Sequence, residues 1–210
     1  MSQHTYFQAF PESCPLFQRL GRDRAFHVLH TQLTLLGRGP FYWPDLEPSE
    51  IEGTLDWLAE HEPAVASRAE AERLRGELRQ EVEWTVAAHP GIERRVAYFE
   101  QVQEDVKEIL VNQFQHQGFT AAAWLADRLL HGQEALAPEL FGEGEFQWHL
   151  VPAGTVQKGA AVLLSVTPAV LEHTPGNWDL DTEDYEDYGR WRRLYLEAAR
   201  RGEVIAVLNA

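Results

Sequence analysis

RRLYLEAARRGEVIAVLN, Arg192 to Asn209, holds two textures separated by one glycine. Leu194, Tyr195 and Ala198, with Trp191 just before them, recur at helical spacing and form one apolar stripe. Gly202 closes that helix, because glycine enters the left-handed conformation without a Cβ clash. EVIAVLN then reads as a strand, short and rich in β-branched residues. Its counterpart is HTYFQAF, His4 to Phe10, where Tyr6, Gln8 and Phe10 alternate with Phe7 and Ala9. Both alternating sets are largely apolar, which predicts a strand covered on both faces. Strands grouped at the two ends, rather than alternating with helices, predict an α+β fold. The expectation is a mixed sheet built from the N- and C-terminal parts, around a helical middle.

The middle supplies that helical material. PESCPLFQRLG predicts a short helix ended by Gly21, and the stretch from Asp23 to Leu36 a longer one stopped by Gly37. Ser49 followed by Glu52 is read as a capping box that opens a helix through Leu55, Trp57 and Leu58. Pro63 is placed in the first turn of a long helix reaching Ala88, with Leu74, Leu78 and Val82 four apart. His89-Pro90-Gly91 breaks it. Val96, Phe99, Val102, Val106, Ile109, Leu110 and Phe114 then predict a second long helix, so that the two form a long helical hairpin. Thr120 is expected to cap a helix carrying Trp124, Leu125 and Leu129 and ending at Gly132. FQWHLVP and AVLLSV read as strands, and TPAVLEH as a short helix. The whole is expected to be one domain over residues 1–210, with a helical subdomain or insertion over about 50–140.

Net charge is −15 over 210 residues, from 33 acids against 18 bases. Such a field repels nucleic acid and anionic membrane, so neither is expected as a partner. It suits a basic protein partner, and the long helices offer a route to self-association. Cys14 is the single cysteine, so no intramolecular disulfide forms, and no apolar run approaches a membrane span. The opening residues lack a leader pattern, and a cytoplasmic location is expected.

Three stretches resemble the bacterial YfbM-like family, whose function is unknown. They are the strand TYFQAF, the helix DRAFHVLHTQLT and the closing RRLYLEAARRGEVIAVLN. In the second, Leu29, His30, Leu33 and Thr34 match a Leu-His-x-x-Leu-Thr pattern, with Phe26 in an aromatic place usually held by Trp. The family's glycine after the threonine is Leu35 here, and the stretch from about 63 to 117 has no counterpart in it. The resemblance implies an α+β fold and offers no established activity.

The chemical handles are few. His27 and His30 lie about 60° apart around a helix, so two imidazoles share one face. A zinc site needs at least one further ligand. The alternatives are a rim histidine bonded to a carbonyl or carboxylate, and a general base at His30 paired with Asp45 or Glu47 from the following loop. DLDTEDYED, Asp179 to Asp187, is the densest acidic run. It lacks the glycine turn and terminal glutamate of an EF-hand, so its acids are read as stabilising a helix N-terminus or docking a basic partner through Asp184 and Asp187. Tyr42, Trp43, Trp148 and His149 fall in or near loops and are read as core or as a contact surface. Cys14 shows no partner that would activate it. Nucleophile-elbow, zinc-protease and phosphate-loop motifs are absent, and GEGEF at Gly142 has two glutamates that would repel phosphate. No cofactor is expected, a divalent metal being the exception the histidines and acids leave open. The leading expectation is therefore a non-catalytic binding protein, with a hydrolase using His30 and a carboxylate as the alternative.

Overall fold

The computed structural model describes residues 4–37, 41, 46, 48–100, 103–141, 148–174 and 180–209. The chain is α+β. It divides into two compact units, one of residues 1–11, 96–135 and 148–210, the other of residues 12–95 and 136–147.

The first unit contains the sheet. Its strands are β1 (His4–Phe10), β2 (Val96–Glu100), β3 (Glu134–Ala135), β4 (Trp148–Val151) and β5 (Val204–Asn209), in the order β2-β1-β5-β4-β3. All four pairings are antiparallel, so the sheet is not mixed. The two ends of the chain meet at its centre, with Thr5 opposite Asn209 and Phe10 opposite Val204. One face carries Phe7, Ala9, Ala97, Phe99, Val151, Ile205 and Val207 into a core shared with the unit's helices. These are α5 (Gln103–His116), α6 (Ala122–His131), α7 (Ala153–Leu163), α8 (Pro168–Glu172) and α9 (Thr182–Arg201). On the other face Tyr6, Phe10, Trp148, Val204, Ala206 and Leu208 are buried too. Burial on both sides is why β1 and β5 show little polar alternation.

Helix α9 organises this core. Its stripe of Tyr188, Trp191, Leu194, Tyr195 and Ala198 is buried. The Trp191 indole lies 6.2 Å from Phe7, 5.8 Å from Phe99 and 4.8 Å from Tyr195, between ring centroids. The two tyrosine hydroxyls reach backbone carbonyls, Tyr188 donating to Val166 at 2.8 Å and Tyr195 to Leu129 at 2.5 Å. Buried phenols need such acceptors, and burial pushes both well above the usual phenol range. Gly202, at φ 67°, ends the helix and turns the chain into β5.

The second unit is helical. It holds α1 (Pro15–Leu20), α2 (Arg24–Gly37), α3 (Pro48–His61) and α4 (Arg68–Ala88). Leu16, Leu20, Leu29, Leu33, Leu55, Leu58, Leu74 and Leu78 are among its buried side chains. Cys14 is buried as well, its Sγ 3.7 Å from Thr85 Oγ1. Arg19 ties three helices together: it lies 4.0 Å above the Phe26 ring and pairs with Asp23 at 3.3 Å and Glu77 at 2.5 Å.

Several expectations change. The long helical hairpin does not form, because Val96–Glu100 is the edge strand β2 and α5 begins only at Gln103. Val96, Phe99 and Val102 keep helical spacing, but VAYFE is also strand-like, and pairing with β1 decides it. Helices α4 and α5 belong to different units. AVLLSV is no strand either: Ala153–Leu163 is helix α7, with Thr155, Val156, Gly159, Ala160, Val162 and Leu163 buried at helical spacing. A short apolar run does not by itself distinguish the two states. The capping box is not at Ser49 but at Asp181 and Asp184, at the start of α9. Helix α3 already starts at Pro48, while Ser67 caps α4, its hydroxyl accepting from the Glu70 amide at 3.3 Å. Thr120 is not a cap, since α6 is preceded by Ala121 without a side-chain bond. Among the described residues, no helix is long and apolar enough to cross a membrane.

Candidate functional site

Asp23 starts α2, its carboxylate accepting from the Phe26 amide at 3.1 Å. The helix then turns His27 and His30 inward, and both are 0% exposed. His27 Nδ1–H donates to the Leu20 carbonyl at 2.8 Å, and its ring lies 4.5 Å from that of Phe141. Its Nε2 has no hydrogen-bond partner among the described residues. Burial pulls the His27 pKa down to about 4, and the Arg24 charge adds to this against the Leu20 bond. Burial, with His27 close by, lowers His30 to about 3. Both rings are therefore neutral at pH 7, fitted to the interior rather than to proton transfer.

Among the described residues no third ligand accompanies them. Among the described residues there is no group of three histidine, cysteine or acidic side chains that would hold a metal. Glu62, buried in the same unit, is already engaged: Arg24 Nε donates to it at 3.0 Å and the Ala64 amide at 3.1 Å. Arg24 also donates to the Leu140 carbonyl at 2.6 Å and lies over the Phe141 ring. Asp45 and Glu47, named as partners for a base at His30, lie outside the described residues, as do Tyr42 and Trp43.

The acidic run is where the surface opens. Asp181 is the N-cap of α9: its carboxylate accepts from the amides of Glu183 at 2.7 Å and Asp184 at 3.2 Å. Asp184 returns the bond, accepting from the Asp181 amide at 2.7 Å. Asp187 is 8% exposed and accepts from Arg190 at 2.6 Å. Burial raises the pKa of both Asp184 and Asp187, against the Asp181 amide in one case and Arg190 in the other. These two acids are thus built into the helix end, while Asp181, Glu183 and Glu186 face outward.

Beside them a cleft of about 730 Å³ separates α8 from α9. Pro168, Leu180 and Tyr185 give it an apolar wall. Glu172, Asp181 and Glu186 supply acids, and Arg190 and Arg193 bases. A Cβ at Gly189 would stand 3.4 Å from Pro168 Cγ, so the glycine lets α8 approach. Among the described residues the cleft lining holds no cysteine, serine or histidine. Its mixture of apolar wall and charged rim suits recognition. The spacing of Thr182, Glu186, Gly189 and Arg193, which places them on one helical face away from the Trp191 stripe, is the signal for this lining in the sequence.

Trp148 is core, fully buried opposite Leu208. His149 is half-buried opposite Val207, and burial, with His131 nearby, lowers its pKa. Among the described residues, Trp57, Trp84 and Trp124 face outward, at 41%, 58% and 42% exposure. Trp57 and Trp124 lie on helices whose other large residues are inside, so spacing alone placed them too near the apolar stripes. The chain finds no match among protein-family models, curated proteins or solved structures.

Proposed function

We propose that this chain is a non-catalytic binding protein that docks a basic protein partner in the cleft between α8 and α9. The observation that carries this reading is the cleft with an apolar wall and a rim on which three acids outnumber two arginines. A basic segment would lay its charges on Glu172, Asp181 and Glu186 and its apolar side chains against Leu180 and Tyr185. The net charge of −15 would speed the encounter and make it weaken with salt. A hydrolytic reading needs His30 to meet a substrate, and a wholly enclosed ring does not. A cytoplasmic setting, motivated by the lone buried cysteine, and kinship with the YfbM-like family, carried by Leu29, His30, Leu33, Thr34 and the two end strands, belong to the same proposal.

The test is affinity capture from the source cell with the wild-type chain and with the double variant Glu172→Lys, Glu186→Lys. Both side chains are exposed and neither caps a helix, and circular dichroism checks that the variant is folded. A basic protein retained by the wild type, released by salt and lost with the folded double variant supports the proposal. Equal capture by both chains, or a partner without net positive charge, overturns it.

A further inference from the structure

We infer that the α8–α9 cleft takes an extended partner segment with a base, an apolar residue and an acid at alternate positions, oriented by Glu172 at one end and Arg193 at the other; this rests on the binding role proposed above for the same cleft. Most charges along the cleft are already engaged. Asp181 accepts from the amides of Glu183 and Asp184, and Arg190 pairs with Asp187 at 2.6 Å and with Glu186 at 3.2 Å. Glu172 and Arg193 line the same cleft and are exposed. Among the described residues, neither side chain has a hydrogen-bond or ion-pair partner.

Local structure does not account for these two charges. Glu172 ends α8, where terminal carbonyls carry partial negative charge and a carboxylate is unfavourable. Arg193 lies in the interior of α9, away from the helix end that would favour a cation. Both are explained by a group that reaches them from outside.

Their placement fixes the shape of that group. The chain leading into α8 runs antiparallel to α9. Arg192 donates to the carbonyls of Leu163 and Leu164, both at 2.8 Å, Tyr188 donates to Val166, and Pro168 faces Gly189. From the Pro168–Gly189 contact, Glu172 lies about one turn towards the start of α9 and Arg193 about one turn towards its end. At about 1.5 Å per residue the two charges stand on the order of 12 Å apart along the cleft. An extended chain covers about 13 Å in four residues, and its residues i, i+2 and i+4 share a face. A base at i meets Glu172, and an acid at i+4 meets Arg193. The apolar residue between them lies over Gly189, which has no side chain, against Pro168, Leu180 and Tyr185. A purely basic segment would set a second cation on Arg193, and a purely acidic one would meet Glu172 and Glu186.

The probe is a phage-displayed library of short random peptides, panned on the wild-type chain. Peptides that lose binding to the double variant Glu172→Lys, Glu186→Lys are synthesised with a fluorescein label and measured by anisotropy. They are expected to carry the alternating base, apolar and acid pattern. Exchanging the acid for lysine in such a peptide should weaken wild-type binding by roughly two- to fivefold, the range of an exposed ion pair. Against Arg193→Glu the same exchange should strengthen binding, and against Arg193→Gln it should lose most of its effect. Circular dichroism checks that the variants are folded. Peptides with bases alone, bound more tightly by Arg193→Glu than by the wild type, overturn the inference and leave a cleft that docks basic segments. The absence of any peptide sensitive to the double variant overturns both readings. A dimer in sedimentation velocity that Arg193→Glu abolishes also overturns the inference, because the occupant would then be a second copy.

Discussion

Acid should unfold this protein through two histidines. An unfolded histidine titrates near 6.5, whereas His27 titrates at about 4 and His30 at about 3 in the folded chain. Both folded-state values are depressed, so the unfolded chain binds more protons below pH 6.5, and stability falls as pH falls. Between pH 7 and pH 5 each ring withdraws roughly 1.8 kcal/mol, so the pair removes about 3–4 kcal/mol. Near pH 5 the slope approaches roughly 2.7 kcal/mol per pH unit, the signature of two protons. The loss levels off only below the folded-state values. It is a large share of a stability that for domains of this size is about 5–15 kcal/mol. Urea titrations followed by tryptophan fluorescence at pH 7.0, 6.0, 5.5 and 5.0 measure it directly. His30→Leu supplies the control: whatever it does to stability at pH 7, it must lower the slope by one proton's share, because one proton-binding ring is gone. His149, lowered by burial, and Asp184 and Asp187, raised by burial, titrate alike in both chains and cancel in the difference. An unchanged slope in His30→Leu, or a wild-type stability flat from pH 7 to 5, would refute the sealed, neutral pair.

Three packing and capping features make further predictions. Gly159→Ala would put a Cβ 2.4 Å from Leu129 Cδ2, so it should cost about 1–3 kcal/mol by overpacking, read as a lower Tm. Tyr195→Phe leaves the Leu129 carbonyl without its buried donor and should cost about 1–2 kcal/mol in urea unfolding. Ser67→Ala removes the cap of α4 and should cost about 1 kcal/mol, with Ser67→Asp restoring most of it.

The fold was legible where local chemistry and tertiary demand agreed. Gly202 between a helical stripe and an apolar run marked α9 and β5, and the two apolar sets in His4–Phe10 marked a strand buried on both faces. It was illegible where one residue set satisfied two periods. Val96 and Phe99 fit a helix with Val106 and Phe114, and fit a strand with Ala97 and Tyr98. The choice rests on β1, some ninety residues earlier in the chain, which no local window contains. The same holds for Ala161–Leu163, an apolar run that closes helix α7. For the candidate sites, residue type pointed to α2 and α9 and left several roles open. His27 and His30 lie together as spacing implies, but only their enclosure says that they are neutral core. Asp184 and Asp187 lie in the acidic run, yet hydrogen bonds show them holding the helix while Glu183 and Glu186 face outward.

The pairing of β1 with β5 sets an order of events during synthesis. Thr5 and Asn209 bond across the middle of the sheet at 3.1 Å although 204 residues separate them. On the ribosome, β1 can find β2 once residue 100 has emerged, but its other edge has no partner until β5 is made. For most of translation the nascent chain therefore carries an open, apolar strand edge, the kind of surface that seeds aggregation. The helical unit lies within residues 12–147, so its chain is complete well before β5 exists. Closure of the sheet is a long-range step, slow by its sequence separation, and it comes last. A chaperone that shields Tyr6–Phe10 until release would therefore raise the yield of folded protein more than any stabilisation of α1 to α4.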